Sequence, residues 1–228
     1  TLASSDYAAG AGTLLANYVL PTRTSAAITA ITPRLLTVAL TGSVQREYDG
    51  TTAAALSASN FSIDGILSGE SISITQAQGQ FASRNVGTGL IVSTALGNSA
   101  FAAGNGTLLS NYNLPATASG AIGTITPRQL SVALIGTVQR PYDGTINAAL
   151  GTSNFTLTGV GNGDNITINQ TLGRFASANV GTGLAVNTTL GSSAFTAGNG
   201  TLLSNYSLPA AASGAIGVIT PRSLSLSL

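Results

Sequence analysis

The chain repeats itself at a step of 94 residues with neither insertion nor deletion, and no other feature constrains its fold as tightly. Pro33, Pro127 and Pro221 each stand in Ile-Thr-Pro-Arg. Tyr18, Tyr112 and Tyr206 each stand in Leu-Leu-x-Asn-Tyr-x-Leu-Pro, and Tyr48 and Tyr142 each open Tyr-Asp-Gly. Residues 41–134 and 135–228 are identical at 62 of 94 aligned positions. A step of about 20–50 residues marks solenoid coils or propeller blades, whereas one near 94 is the size of a small autonomous domain. The chain therefore reads as a tandem array of near-copies. Residues 1–34 form a partial repeat (the C-terminal part of a unit), 35–128 and 129–222 are full repeats, and 223–228 is the first strand of a further unit. This division carries the expectation of an excerpt from a longer mature protein.

Within a repeat, apolar residues alternate with period 2. Leu36, Val38 and Leu40 fall on one side, and Leu130, Val132 and Leu134 repeat them one step later. Ser71–Thr75 and Asn165–Asn169 alternate cleanly, as do Leu90, Val92 and Thr94. Alternation over 4–8 residues predicts half-buried strands. Turn signals lie between them: Asp49-Gly50, Gly69, Gly79, Gly87, Gly89, Gly97 and Gly104-Asn105-Gly106. Asp-Gly suits a tight hairpin, because both central positions tolerate positive φ. The one helix-permissive stretch, Thr52–Leu56, is too short to hold a helix. The fold class is therefore all-β, a tandem array of β-sandwich-like (Ig-like) domains. Phe61/Phe155, Phe81/Phe175, Phe101/Phe195 and Tyr18/Tyr112/Tyr206 are its expected core anchors. Ile-Thr-Pro-Arg holds no flexible Ser/Gly tract, and proline biases its predecessor to extended backbone. Each unit should feed its last strand straight into the next, giving rigid joints between units at least roughly 30 Å across.

Composition removes most chemistry. The chain has no Cys, His, Met, Trp or Lys. Ordinary zinc, copper and haem sites are excluded with them, as are Ser-His and Cys-His nucleophile pairs. No disulfide can staple a unit, so burial and backbone pairing must suffice, which about 94 residues permit. Only 7% of residues are charged and the net charge is +1. Eight scattered Arg form no basic stripe, which argues against nucleic acid and anionic membrane as partners. No run of about 18 apolar residues could span a bilayer as a helix.

The polar residues present in both copies are Arg34/Arg128, Arg46/Arg140, Asp49/Asp143 and Glu70/Asp164. A carboxylate-pair hydrolase needs its two acids roughly 5–9.5 Å apart, but Asp49 sits in a turn where it can cap its own backbone. Arg46 with Asp49, or Arg34 with Glu70, suggests an ion pair within the unit. Calcium needs 6–8 oxygens, and Gly161-Asn162-Gly163-Asp164 offers one acid, so a β-turn explains it better. Gly87-Thr88-Gly89 and Gly181-Thr182-Gly183 lack the helix and lysine of a phosphate loop. Asn-x-Ser/Thr sequons at Asn60, Asn105, Asn154, Asn165, Asn199 and Asn205 are glycan sites only in a host that modifies them. No catalytic, cofactor-binding or metal residue is assigned.

Several segments occur in a fixed order. Arg46-Glu47-Tyr48-Asp49-Gly50-Thr51-Thr52 comes first, then Asn60-Phe61, then Gly79-Gln80-Phe81-Ala82-Ser83-Arg84-Asn85-Val86-Gly87-Thr88-Gly89. Asn111-Tyr112-Asn113-Leu114-Pro115 and Ile125-Thr126-Pro127-Arg128 follow, and the series recurs from Arg140 to Arg222. This order resembles the YDG-type repeats of large bacterial surface exoproteins, the filamentous-haemagglutinin-like adhesins. The resemblance implies an extracellular all-β stalk or adhesin without enzymatic activity, and it brings no catalytic or ligand residues to carry over. Arg46 and Arg84 stand where those repeats commonly carry Lys, with Ala178 in the second copy.

The leading expectation is a structural repeat segment of a secreted bacterial adhesin or matrix fibre, partnered by other copies of itself. The second is a multivalent module for glycans or another surface ligand, which needs a solvent-exposed aromatic in every unit. Tyr48 and Tyr142 are the candidates for that contact, or for assembly.

Overall fold

The computed structural model describes residues 1–25, 30–104 and 106–226. Two similar all-β units follow one another, and helical geometry among the described residues is confined to three-residue 3-10 turns. The first unit comprises β1 (Arg34–Leu35), β2 (Thr37–Leu40), β3 (Val44–Glu47), β4 (Ala53–Ala55), β5 (Phe61–Asp64) and β6 (Ile72–Ile74). It continues with β7 (Gln78–Phe81), β8 (Gly87–Ala95), β9 (Phe101–Ala103), β10 (Tyr112–Asn113) and β11 (Thr117–Thr126). The second unit repeats the series from β12 (Arg128–Gln129) to β22 (Ala211–Thr220).

Five strands form the main sheet, in the order β3-β11-β8-β7-β4. All neighbours are antiparallel except β3, which runs parallel to β11. Two short antiparallel ladders, β2–β5 and β6–β9, and the parallel pair β1–β10 complete the unit. The alternation places side chains as expected: Leu36, Leu40, Ile72, Ile74 and Val92 are buried, as are Leu130, Leu134, Ile166, Ile168 and Val186. Phe81, Phe101, Tyr112 and their second-unit equivalents are buried core anchors, and Phe61 and Phe155 are half-buried against them. Tyr18 is not an anchor. It is 62% exposed, because among the described residues the stretch before β1 carries only 3-10 turns.

One further expectation is corrected. Asp49-Gly50 is no hairpin turn: it carries the chain from β3 to β4, the two opposite edges of the sheet. A tight hairpin joins strands that pair with one another, whereas β3 pairs with β11 and β4 pairs with β7. Thr52–Leu56, too short for a helix, holds strand β4. Ser223–Leu226 carries no strand, and 227–228 lie outside the described residues.

β11 ends at Thr126 and β12 begins at Arg128, leaving Pro127 as the whole connection between units. β12 then lies parallel to the strand Tyr206–Ser207, so the incoming chain is locked into the second unit at its first residues.

Candidate functional site at the repeat joint

The polar residues shared by both copies do not gather into a reaction centre. Two of them, Asp164 and Arg128, lie where the first unit touches the second. The Tyr48-Asp49-Gly50 segment leaves the end of β3 beside the joint. Tyr48 is fully buried, and its hydroxyl donates to Asp164 Oδ2 at 2.7 Å. Tyr206 donates to the same oxygen at 2.5 Å, while its own oxygen accepts the Gly161 N–H at 2.8 Å. The two tyrosine rings meet edge to face, centroids 5.4 Å apart, an arrangement that satisfies the ring quadrupoles. One carboxylate oxygen thus ties a tyrosine of each unit together. Burial and the Asp164 carboxylate raise the pKa of Tyr48, and the same causes push Tyr206 up to about 12.

Backbone shape makes the fit possible. Gly50 has φ +85°, and a Cβ there would lie 2.6 Å from the Asn162 carbonyl oxygen. A side chain at this position would be strained and would hold the units apart. On the other side, a Cβ on Gly161 would sit 3.1 Å from the Tyr48 ring. The Gly161–Asp164 segment is a turn, closed by Asp164 N–H to the Gly161 carbonyl at 3.2 Å with Gly163 at φ +80°. It is a turn that presents its acid to two tyrosines.

A second polar clasp lies alongside. Asn205 accepts the Val86 N–H at 2.9 Å and donates to Asn85 Oδ1 at 3.0 Å, and it is 1% exposed. At the rim, Arg128 Nε stands 3.9 Å from Glu47. Both side chains are substantially exposed, so this pair contributes about 0–1 kcal/mol.

The remaining polar residues brace the Tyr-Asp-Gly turn. Asp49 accepts from the Thr51 N–H and hydroxyl at 2.8 Å each, and Arg46 pairs with it at 2.5 Å. Burial acts to raise the Asp49 pKa, but these donors outweigh it and the net shift is downward. In the second unit the Arg140 hydrogen bond, with those from Thr145, lowers Asp143 to about 2. Arg46 and Arg140 also lie over Phe81 and Phe175, 5.2 Å from each ring centroid. Arg34 does not pair with Glu70 and instead donates to the Gly65 carbonyl at 2.7 Å.

Tyr48 and Tyr142 therefore part company. Tyr48 is corrected as a solvent-exposed ligand contact, because the second unit covers it. Tyr142, the same position one step on, is 41% exposed. Asn85, Gly161, Tyr206 and Asn205 escaped sequence reasoning as joint residues. The signal was present in Asn205 and Tyr206, which recur in every copy, but recurrence does not separate a core role from a contact role. Of the sequons, Asn60 and Asn205 are buried with their amides engaged, and Asn105 lies outside the described residues. Among the described residues no group of three His, Cys, Asp or Glu could hold a metal.

A family model described as the YDG domain matches the chain twice, over residues 32–120 and 126–214. Both matches contain the Tyr-Asp-Gly segment, and together they include Tyr48, Asn85, Asp164, Asn205 and Tyr206 of the joint. No curated protein and no solved structure matches the chain.

Proposed function

The chain belongs to the YDG domain family as two tandem copies, and we propose that these copies are a structural segment of a secreted bacterial adhesin or extracellular matrix fibre. The observation that carries this reading is the joint. Residues that recur at the 94-residue step, Tyr48, Gly50, Asn85 and Asn205, are spent on holding one repeat against the next. A mechanical element needs this economy, since its work is to transmit length and force. The connection of a single proline, with hydrogen bonds on both sides of it, favours a stiff stalk over beads on a string.

Low charge and the absence of Lys suit a durable material at the bacterial surface, with other copies of itself as partner. The scattered Arg residues argue against nucleic acid as a ligand, and among the described residues no polar cluster resembles an enzyme site. The glycan-binding alternative is weaker, because the aromatic it relied on is consumed by the joint at Tyr48. Small-angle scattering with negative-stain microscopy tests the proposal. A single rigid rod of two units, at least roughly 60 Å long by the compact-domain size relation, is the expected result. Independently tumbling units would refute the stalk.

A further inference from the structure

The two copies diverge in chemistry on the outward face of their main sheets. In the second unit, β15 (Asn147–Ala149), β18 (Leu172–Phe175) and β19 (Gly181–Thr189) lie side by side. Their register sets Asn147 opposite Arg174 and Arg174 opposite Asn187, so three exposed polar side chains form one row across the strands. At a strand spacing of about 4.8 Å the row is roughly 10 Å long. It lines a depression of about 440 Å³, which Leu172, 73% exposed, borders from two residues before Arg174 on the same face. The ion pairs among the described residues are made by Arg46, Arg128 and Arg140, and Arg174 takes part in none of them.

The first unit has the same strands without this chemistry. Ala53, Gln80 and Ser93 stand in its row, and Gln78 stands in place of Leu172. All four are exposed although the second unit is docked against the first. The depression on the second unit is likewise open with the first unit docked on it. A neighbour packed on either side in the manner of the internal joint therefore leaves this face accessible.

We propose that the Asn147–Arg174–Asn187 row binds a uronic-acid residue of an acidic polysaccharide. A guanidinium meets a planar carboxylate through two parallel N–H···O bonds. One cation flanked by two neutral amides matches a single negative charge, whereas a phosphate dianion calls for more positive charge than this row holds. Asn147 and Asn187 each offer a carbonyl acceptor and an NH₂ donor, and a sugar hydroxyl, itself donor and acceptor, uses both. Leu172 gives the C–H face of a pyranose ring an apolar surface to rest on. The site needs no aromatic, so the burial of Tyr48 in the joint does not touch it. It goes beyond the structural role proposed above and does not depend on it: a stalk carrying such sites along its flank holds polysaccharide as well as spanning distance.

An NMR titration of the whole isotopically labelled chain with digalacturonate decides the matter. So few contacts on an open face give a dissociation constant of about 1 mM, so the ligand is taken to about 10 mM. The expected result is saturable shifts confined to the amides around Asn147, Leu172, Arg174 and Asn187. Those around Ala53, Gln80 and Ser93 should stay still and serve as the control within the same molecule. The methyl ester of the same sugar, which lacks the charge, should bind at least about tenfold more weakly. Arg174→Gln, which installs the first unit's residue, should lose affinity to the same extent. An exposed strand substitution of this kind leaves the fold intact, and the unmoved remainder of the spectrum verifies it. The absence of saturable shifts by about 10 mM, an ester that binds equally, or an Arg174→Gln chain that binds as before would each overturn the site. None of these results bears on the stalk, whose rigidity is read separately by scattering.

Discussion

At the residue scale, Tyr48 and Tyr142 share a tripeptide and a backbone setting yet differ in what surrounds the hydroxyl. Tyr48 spends its hydroxyl on a carboxylate in a buried joint, whereas Tyr142 faces solvent. A hydrogen bond to a charged group is worth about 1.5–3 kcal/mol when its partner would otherwise be left buried. Tyr48→Phe should therefore destabilise the chain by about that amount, while Tyr142→Phe should stay within about 0.5 kcal/mol, as exposed substitutions do. Urea denaturation of the two variants side by side provides the check. Equal effects would mean that the Asp164 contact carries no weight.

At the element scale, β11 and β22 are the longest strands and each belongs to several partnerships at once. β11 pairs with β8 on one side and β3 on the other, and its register with β8 shifts between Gly120 and Gly123. Two glycines make this possible. A Cβ at Gly120 would collide with the Leu40 carbonyl of β2, and one at Gly123 would lie 2.6 Å from the Phe81 ring. Gly217 stands 2.6 Å from Phe175 by the same measure. Overpacking of this kind costs about 1–3 kcal/mol, more than the entropy an alanine recovers from the unfolded chain. Gly123→Ala should lower the melting temperature, and an unchanged or higher one would show that Phe81 can move aside freely.

At the scale of the whole molecule, the joint couples stability to alkaline pH. Tyr206 is raised to about 12 from an ordinary 10.0, and Tyr48 is raised as well. The folded joint therefore holds protons that the separated tyrosines would release. Its contribution is complete below about pH 10 and fades as pH climbs towards about 12. Scattering across that window should show the rod loosening into two units before either unit loses its strands by circular dichroism. Simultaneous loss of both signals would mean the joint has no separate transition.

The sequence by itself determined the repeat step, the strand faces and most of the core. Alternation and turn-forming glycines are local properties, and the positions they single out, Leu36, Val92 and Phe81 among them, are buried. It also determined the direct passage from one unit to the next, because Pro127 leaves no slack. Tertiary structure alone decided that Asp49-Gly50 bridges opposite sheet edges, since strand pairing is settled by contacts distant in sequence. It alone decided that Tyr48 is a buried clasp. A tripeptide carries no information about what will cover it, and the burial of Tyr48 arises from residues more than a hundred positions away.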